Sequence, residues 1–156
     1  MIRKMEPGDT ERVLELLLQV HAVHAAGRPD LFLPGGRKYD KADLERILRE
    51  EDKAVYVYTD EQDTVQGYAF CERRMTETRN SRPGRRIWYI DDLCVDEKER
   101  GKGIGSALFD HVKQAALAEG FDSVELNVWN FNAPALAFYT ALGMKPQHTE
   151  MELLLH

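Results

Sequence analysis

The residues with the clearest chemical potential lie in the second half of the chain. Arg100, Gly101, Lys102, Gly103, Ile104 and Gly105 put three glycines and two cations directly ahead of an apolar, helix-patterned stretch. Backbone N–H groups at a helix N-terminus lack intrahelical acceptors and carry partial positive charge. Such a turn binds anions, and glycine leaves the approach clear. A phosphate or pyrophosphate is the expected ligand group. The run is not a GxxxxGK[ST] loop, and Ser106 stands where a dinucleotide fingerprint has its third glycine. A tight strand–helix corner with no ligand would account for a glycine-rich turn equally well.

Other residues invite chemistry on their own terms. Asp91 and Asp92 interrupt an apolar strand, IWYI–LCV. Buried carboxylates are costly unless paired or hydrogen-bonded. Adjacent strand residues point to opposite faces, so one aspartate is expected to be structural and the other to line a site. Asn132 and Tyr139 are seven residues apart, about two helical turns, and share one helix face. Asn132 also stands where an N-cap belongs, with Pro134 in the first turn, and Tyr139 could equally be a core aromatic beside Phe138. His21 and His24 are three residues apart on a helix, and without a third ligand they imply no metal. Cys71 and Cys94 lie in strand-like stretches and read as reduced core thiols.

These residues need a frame. IRKM reads as a first strand, and Pro7 to Asp9 break the chain. Asp9 or Thr10 then caps a helix carrying Val13, Leu16, Leu17 and Val20, with Gly27 as its stop. GRPDLFLPGG is loop. Asp40 caps a second helix with Leu44, Ile47 and Leu48 on one face. AVYVYT and VQGYAFCERRM form a hairpin. The stretch Arg73–Arg86, with six arginines, reads as its solvated far loop. Then come a strand to Val95, the glycine run, a helix ending near Gly120, a strand SVELNVW, a helix from Asn132 to Leu142, and a last strand over 147–155. The βαβ crossover from Ile87 to Trp129 makes its two strands parallel. The expected fold is α/β (α+β): a mixed, mostly antiparallel sheet with helices on both faces. At 156 residues the chain suits a single domain, 1–156.

Three of these stretches, in this order, resemble the GCN5-related N-acetyltransferases (GNAT). Arg100–Gly105 matches their R-x-x-G-x-G coenzyme A loop. YIDDLCV looks like their acetyl-coenzyme A strand, and NAPALAFYTALGM resembles their block of Asn, Tyr and then Leu-Gly. The match covers residues 86–145 and the first half in element order only. The resemblance implies a central parallel strand pair splayed around the cofactor, acetyl-coenzyme A. Its pantetheine arm would lie along Leu93, Cys94 and Val95, and its pyrophosphate on Arg100, Gly101, Lys102, Gly103, Ile104 and Gly105. Asn132 would contact the cofactor and Tyr139 would protonate the departing thiolate. Asp91 is the expected base, because I-D-D-L-C-V is similar to the L-E-D-F-F-V-like strand of polyamine-type acetyltransferases. Ribosomal-protein acetyltransferases carry a Glu base where this chain has Asn127, which speaks against that substrate. Glu125 is the reserve candidate. The implied activity is acetyl transfer to a primary amine of a small molecule or of a peptide or protein. The alternative is a non-catalytic acyl-coenzyme A-binding or regulatory domain on the same fold. Acceptor choice in this family lies in the region corresponding to residues 20–50, which carries no motif.

The composition narrows partners. A formal net charge of −6 argues against nucleic acid, which needs a basic face. The apolar runs are far too short for a bilayer span, and the N-terminus lacks an apolar signal region. The expected location is therefore cytoplasmic, with no membrane partner, and a homodimer is compatible with the resemblance.

Overall fold

The computed structural model describes residues 1–156. Its elements run β1 (Ile2–Lys4), α1 (Thr10–Gly27), α2 (Lys41–Ile47), β2 (Lys53–Thr59), β3 (Val65–Thr76), β4 (Arg85–Val95), α3 (Ile104–Ala118), β5 (Ser123–Leu126) and α4 (Ala133–Ala141). Alternating residues build two cores on opposite faces of one sheet. Val55, Val57, Tyr68 and Phe70 face α1 and α2, where they meet Leu16, Leu17 and Leu44. Ala54, Tyr56, Ala69, Cys71 and Trp88 face α3, where they meet Leu108, Phe109 and Val112. Asp40 caps α2 by accepting from the Asp43 N–H, and Asp43 returns the bond.

The sheet order is β1-β2-β3-β4-β5. The first four strands pair antiparallel in sequence, and β4 pairs with β5 in parallel across the α3 crossover. The arginine stretch is more ordered than a solvated loop, because β3 and β4 stay paired out to Thr76 and Arg85. Arg73 lies over the Trp88 ring and donates twice to Glu119 at the end of α3. The last strand expected over 147–155 does not form within the chain. That segment is exposed throughout, so β5 stands at the sheet edge. No helix is long and apolar enough to cross a membrane.

Candidate active site

Past Ile90, β4 parts from β5. The parallel register runs from Ile87 opposite Ser123 to Ile90 opposite Leu126 and stops. On its other side β4 stays paired to the end, with Leu93 opposite Ala69 and Val95 opposite Gly67. A V-shaped opening results, in which β4 from Asp91 to Val95 has no strand neighbour toward β5. A ligand carrying amides can complete such an edge as an added strand.

At the foot of the opening lies the glycine run. Gly101 and Gly103 have φ of +79° and +82°, which L side chains rarely adopt. Nothing lies within 4 Å of where either would carry a Cβ, so the surface above them is open. Gly103 precedes the first turn of α3, and no side chain caps that turn. The N–H groups of Ile104, Gly105 and Ser106 therefore have no partner within the helix. Gly105 serves a different purpose: a Cβ there would stand 3.1 Å from Phe138 Cζ. Its absence lets α4 close on α3. Arg100 Nε donates to Val95 O at 3.3 Å, and Lys102 pairs with Glu99 at 2.7 Å. Arg100 keeps its charge within the loop while Lys102 is offset by Glu99, and the backbone offers the donors.

Asp96 fixes this loop to the rest of the protein. It is 5% exposed and accepts from Arg12, from Gln19 Nε2 at 3.3 Å and from the Lys98 N–H at 3.1 Å. Burial alone would raise its pKa, but these donors outweigh it and hold the carboxyl below its usual range. Sequence reasoning passed over Asp96. The available signal was its position, a cap residue between an apolar strand and a charged turn.

The aspartate pair departs from expectation. Phe70 faces Asp92 while the next residue, Cys71, faces Ile90, so Asp91 is an extra residue, a β-bulge. Ile90 and Leu93 both pack on the α3 side, which leaves Asp91 and Asp92 together on the α1 side instead of on opposite faces. Asp91 receives the Tyr39 hydroxyl and lies 3.1 Å from Lys38 Nζ. Asp92 receives the Tyr68 hydroxyl at 3.0 Å. Burial pushes Asp92 up to about 6, against the pull of Lys38 and of Tyr68.

Tyr139 stands on α4, its ring against Phe138 and Phe109. Burial raises its pKa, and Asp92 and Cys94 push the same way. Tyr139, Leu93 and Val95 all pack against the same α3-side core, and burial keeps the phenol protonated. Asn132 Oδ1 accepts from the Ala135 N–H at 3.3 Å and caps α4. The Cys94 thiol donates to Leu16 O at 3.7 Å, and burial pushes it up to about 12. Leu93–Val95 form the unpaired edge of the opening, Gly105 packs between Val95 and Phe138 of α4, and Asn132 heads that same helix. Glu125 lies outside the opening, in the paired stretch opposite Tyr89, where it receives Ser123 Oγ at 2.6 Å and faces Arg85 at 3.4 Å.

At the end of α1 stands an aromatic wall that no motif announced. Phe32 packs edge-on against Trp129, which stacks on Phe131, and His24 touches both phenylalanines. Burial, with His21 and Lys38 nearby, lowers the pKa of His24, so its ring is neutral near pH 7.

Comparison with known proteins agrees with this geometry. The family model described as "Acetyltransferase (GNAT) family" matches residues 20–144. A thialysine N-epsilon-acetyltransferase from Bos taurus is 40% identical over 60 residues, 38% of this chain and 35% of that protein. The match thus spans about a third of that relative's length. The crystal structure of a mutant of BH1408 from Bacillus halodurans is 35% identical, with a TM-score of 0.97 over 100% of this chain and 99% of that one. An aminoglycoside N-acetyltransferase solved with CoA shares the fold at 17% identity, with a TM-score of 0.74 over 100% and 99% of the two chains.

Proposed function

The chain belongs to the acetyltransferase (GNAT) family, and from that premise we propose that it acts as one domain transferring the acetyl group of acetyl-coenzyme A to a primary amine of a small molecule. The observation that carries this reading is the opening where β4 leaves β5, closed at its foot by an uncapped helix N-terminus. The relatives named above favour a small acceptor, since two of them are named for acetylating small-molecule amines.

Acetyl-coenzyme A would supply the acetyl group already activated as a thioester. Leu93, Cys94 and Val95 offer it a backbone edge. The donors of Arg100–Gly105 suit its pyrophosphate. Asn132 uses its carbonyl oxygen as a cap, and its NH₂ remains for the coenzyme. A backbone N–H of the free β4 edge stabilises charge on the acetyl oxygen. Tyr139 donates toward the departing sulfur. Its raised pKa keeps the proton in place and makes full transfer uphill against a thiol of pKa about 8.5, so it acts chiefly as a hydrogen-bond donor while the bond breaks.

An amine like that of lysine arrives charged, with a pKa of about 10.4, and must lose a proton. Asp91 was the expected base, but its carboxylate is already engaged by Lys38 and Tyr39. We assign the proton to Asp92, on the same face through the bulge and poised at about 6 by burial. Asp91 then orients Lys38 and Tyr39.

The test is thiol release from acetyl-coenzyme A over a panel of diamines, amino acids, amino sugars and aminoglycosides. Amine-dependent release is expected. Calorimetric binding of acetyl-coenzyme A with no release on any amine would favour the non-catalytic reading.

A further inference from the structure

The loop between α1 and α2 carries an amine to the narrow end of the opening. Lys38 Nζ donates to Asp91 O at 3.0 Å and lies 3.1 Å from Asp91 Oδ1. Tyr39, the next residue, gives its hydroxyl to the same carboxylate and packs on Phe70 of β3. This clamp holds the end of the loop against β4 at its bulge. Lys38 is also close enough to pull on the Asp92 carboxyl. The other lysines in ion pairs meet Glu11, Asp52, Glu72 and Glu99, none of which lies on β4.

The shape of the opening dictates where a bound thioester would stop. The donors suited to a pyrophosphate lie beyond Val95, at Arg100–Gly105, and β5 rejoins β4 at Ile90. A ligand that starts on those donors and follows the free edge passes Val95, Cys94 and Leu93. It runs out of room where the strands meet, beside Asp91. Tyr139, the donor assigned to the departing sulfur, packs on the α3 side of the sheet, whereas Asp91 and Asp92 lie on the α1 side. An amine held at Asp91 therefore approaches from one face of the sheet and the leaving-group donor from the other. Lys38 stands where an external amine would have to stand.

We propose that the protein acetylates itself on Lys38 when acetyl-coenzyme A is bound and no other amine takes that place. The proposal rests on the acetyltransferase reading above. A lysine of ordinary pKa, about 10.4, arrives as an ammonium. Nζ gives one proton to Asp92, and its lone pair attacks the thioester carbonyl carbon. The C–N bond forms and the C–S bond breaks, with the electron pair leaving on sulfur. The nitrogen sheds a second proton and the sulfur gains one, so the products are Nε-acetyl-Lys38 and coenzyme A. Nucleophile and thioester are held in one complex, which makes the step unimolecular. The acetylated side chain is neutral and gives up its ion pair with Asp91.

The experiment incubates unmodified full-length protein with saturating acetyl-coenzyme A and follows each lysine by peptide mass spectrometry. Lys38 is expected to gain an acetyl group well ahead of Lys41, although the Lys41 side chain is 64% exposed against 43% for Lys38. Its rate per chain should not change when the protein is diluted. Asp92→Asn, with its fold checked by circular dichroism, should slow Lys38 acetylation about 10²–10⁴-fold. Urea-unfolded protein supplies the uncatalysed background. Acetylation of Lys38 no faster than that of Lys41, or no faster than in the unfolded chain, would overturn the proposal. So would a rate that falls on dilution. Amines acetylated while Lys38 stays unmodified would remove self-acetylation alone. Failure of acetyl-coenzyme A to bind in calorimetry would remove the acetyltransferase reading with it.

Discussion

Residues 1–121 contain every buried residue of the protein, and residues 122–156 contain none. On the first side, β1 to β4 carry α1 and α2 on one face and α3 on the other, and both cores are closed. On the second side, β5, α4 and the C-terminal segment are apolar in sequence and half-covered at best. The candidate site lies along the seam. Leu93–Val95 and the glycine run belong to the closed side, while Asn132 and Tyr139 belong to the open one. The more buried half thus carries the free β4 edge and the glycine run, and the less buried half carries Asn132 and Tyr139. Local stability follows buried contacts, so the open half should be the first to loosen and the one most stabilised by ligand.

The largest expected effect falls on the open side and is kinetic. Tyr139→Phe keeps the ring against Phe109 and Phe138 and removes one hydroxyl. Thiol release should fall about 10²–10³-fold, the range for loss of one positioned hydrogen-bond donor to developing charge, while calorimetric affinity for acetyl-coenzyme A changes little. Wild-type turnover would return Tyr139 to a packing role and leave the seam without a donor.

Next in size is a direct contrast between the halves. Leu16→Ala hollows out the α1 core, where the side chain is fully buried, and should cost about 2–5 kcal/mol in urea unfolding. Leu136→Ala on α4, 39% exposed, should cost under about 1 kcal/mol. Equal losses would erase the distinction.

A smaller effect probes the acidic group at the seam. Asp92 is pushed up to about 6 in the folded protein, against about 3.9 unfolded. The folded state therefore holds that proton more tightly. Its contribution to stability is complete below pH 4 and is lost as pH rises through 6, by on the order of 1–3 kcal/mol. Asp92→Asn cannot titrate, so wild-type stability should decline relative to it between pH 4 and 6. The same pH dependence in both proteins would remove Asp92 as the poised group. The kcat/KM profile of Asp92→Asn should also lose its acidic limb, whereas Asp91→Asn should keep that limb.

Much of this frame was legible because the signals were local. Asp40 capping α2, the hairpin of β2 and β3, the α3 crossover and the glycine run each rest on neighbours within a few residues. What escaped depended on distance or on one-residue geometry. Asp91 meets Tyr39 across fifty-two residues and Asp96 meets Arg12 across eighty-four, and no periodicity carries such pairings. The bulge at Asp91 breaks the two-residue alternation without a glycine to mark it, so adjacent aspartates assigned to opposite faces share one. Over residues 147–155 the strand pattern is present, but the segment pairs with no strand of the chain.

The most direct measurement is calorimetric titration of acetyl-coenzyme A into the wild type and into Gly103→Glu. Position 103 has left-handed φ and open space above it, so glutamate places a carboxylate at the uncapped start of α3, besides straining the backbone. Gly103→Ala carries the strain without the charge and serves as the reference. The wild type should bind, the alanine variant should bind more weakly, and the glutamate variant should show no binding. Equal affinity in all three would contradict the placement of the coenzyme on Arg100–Gly105.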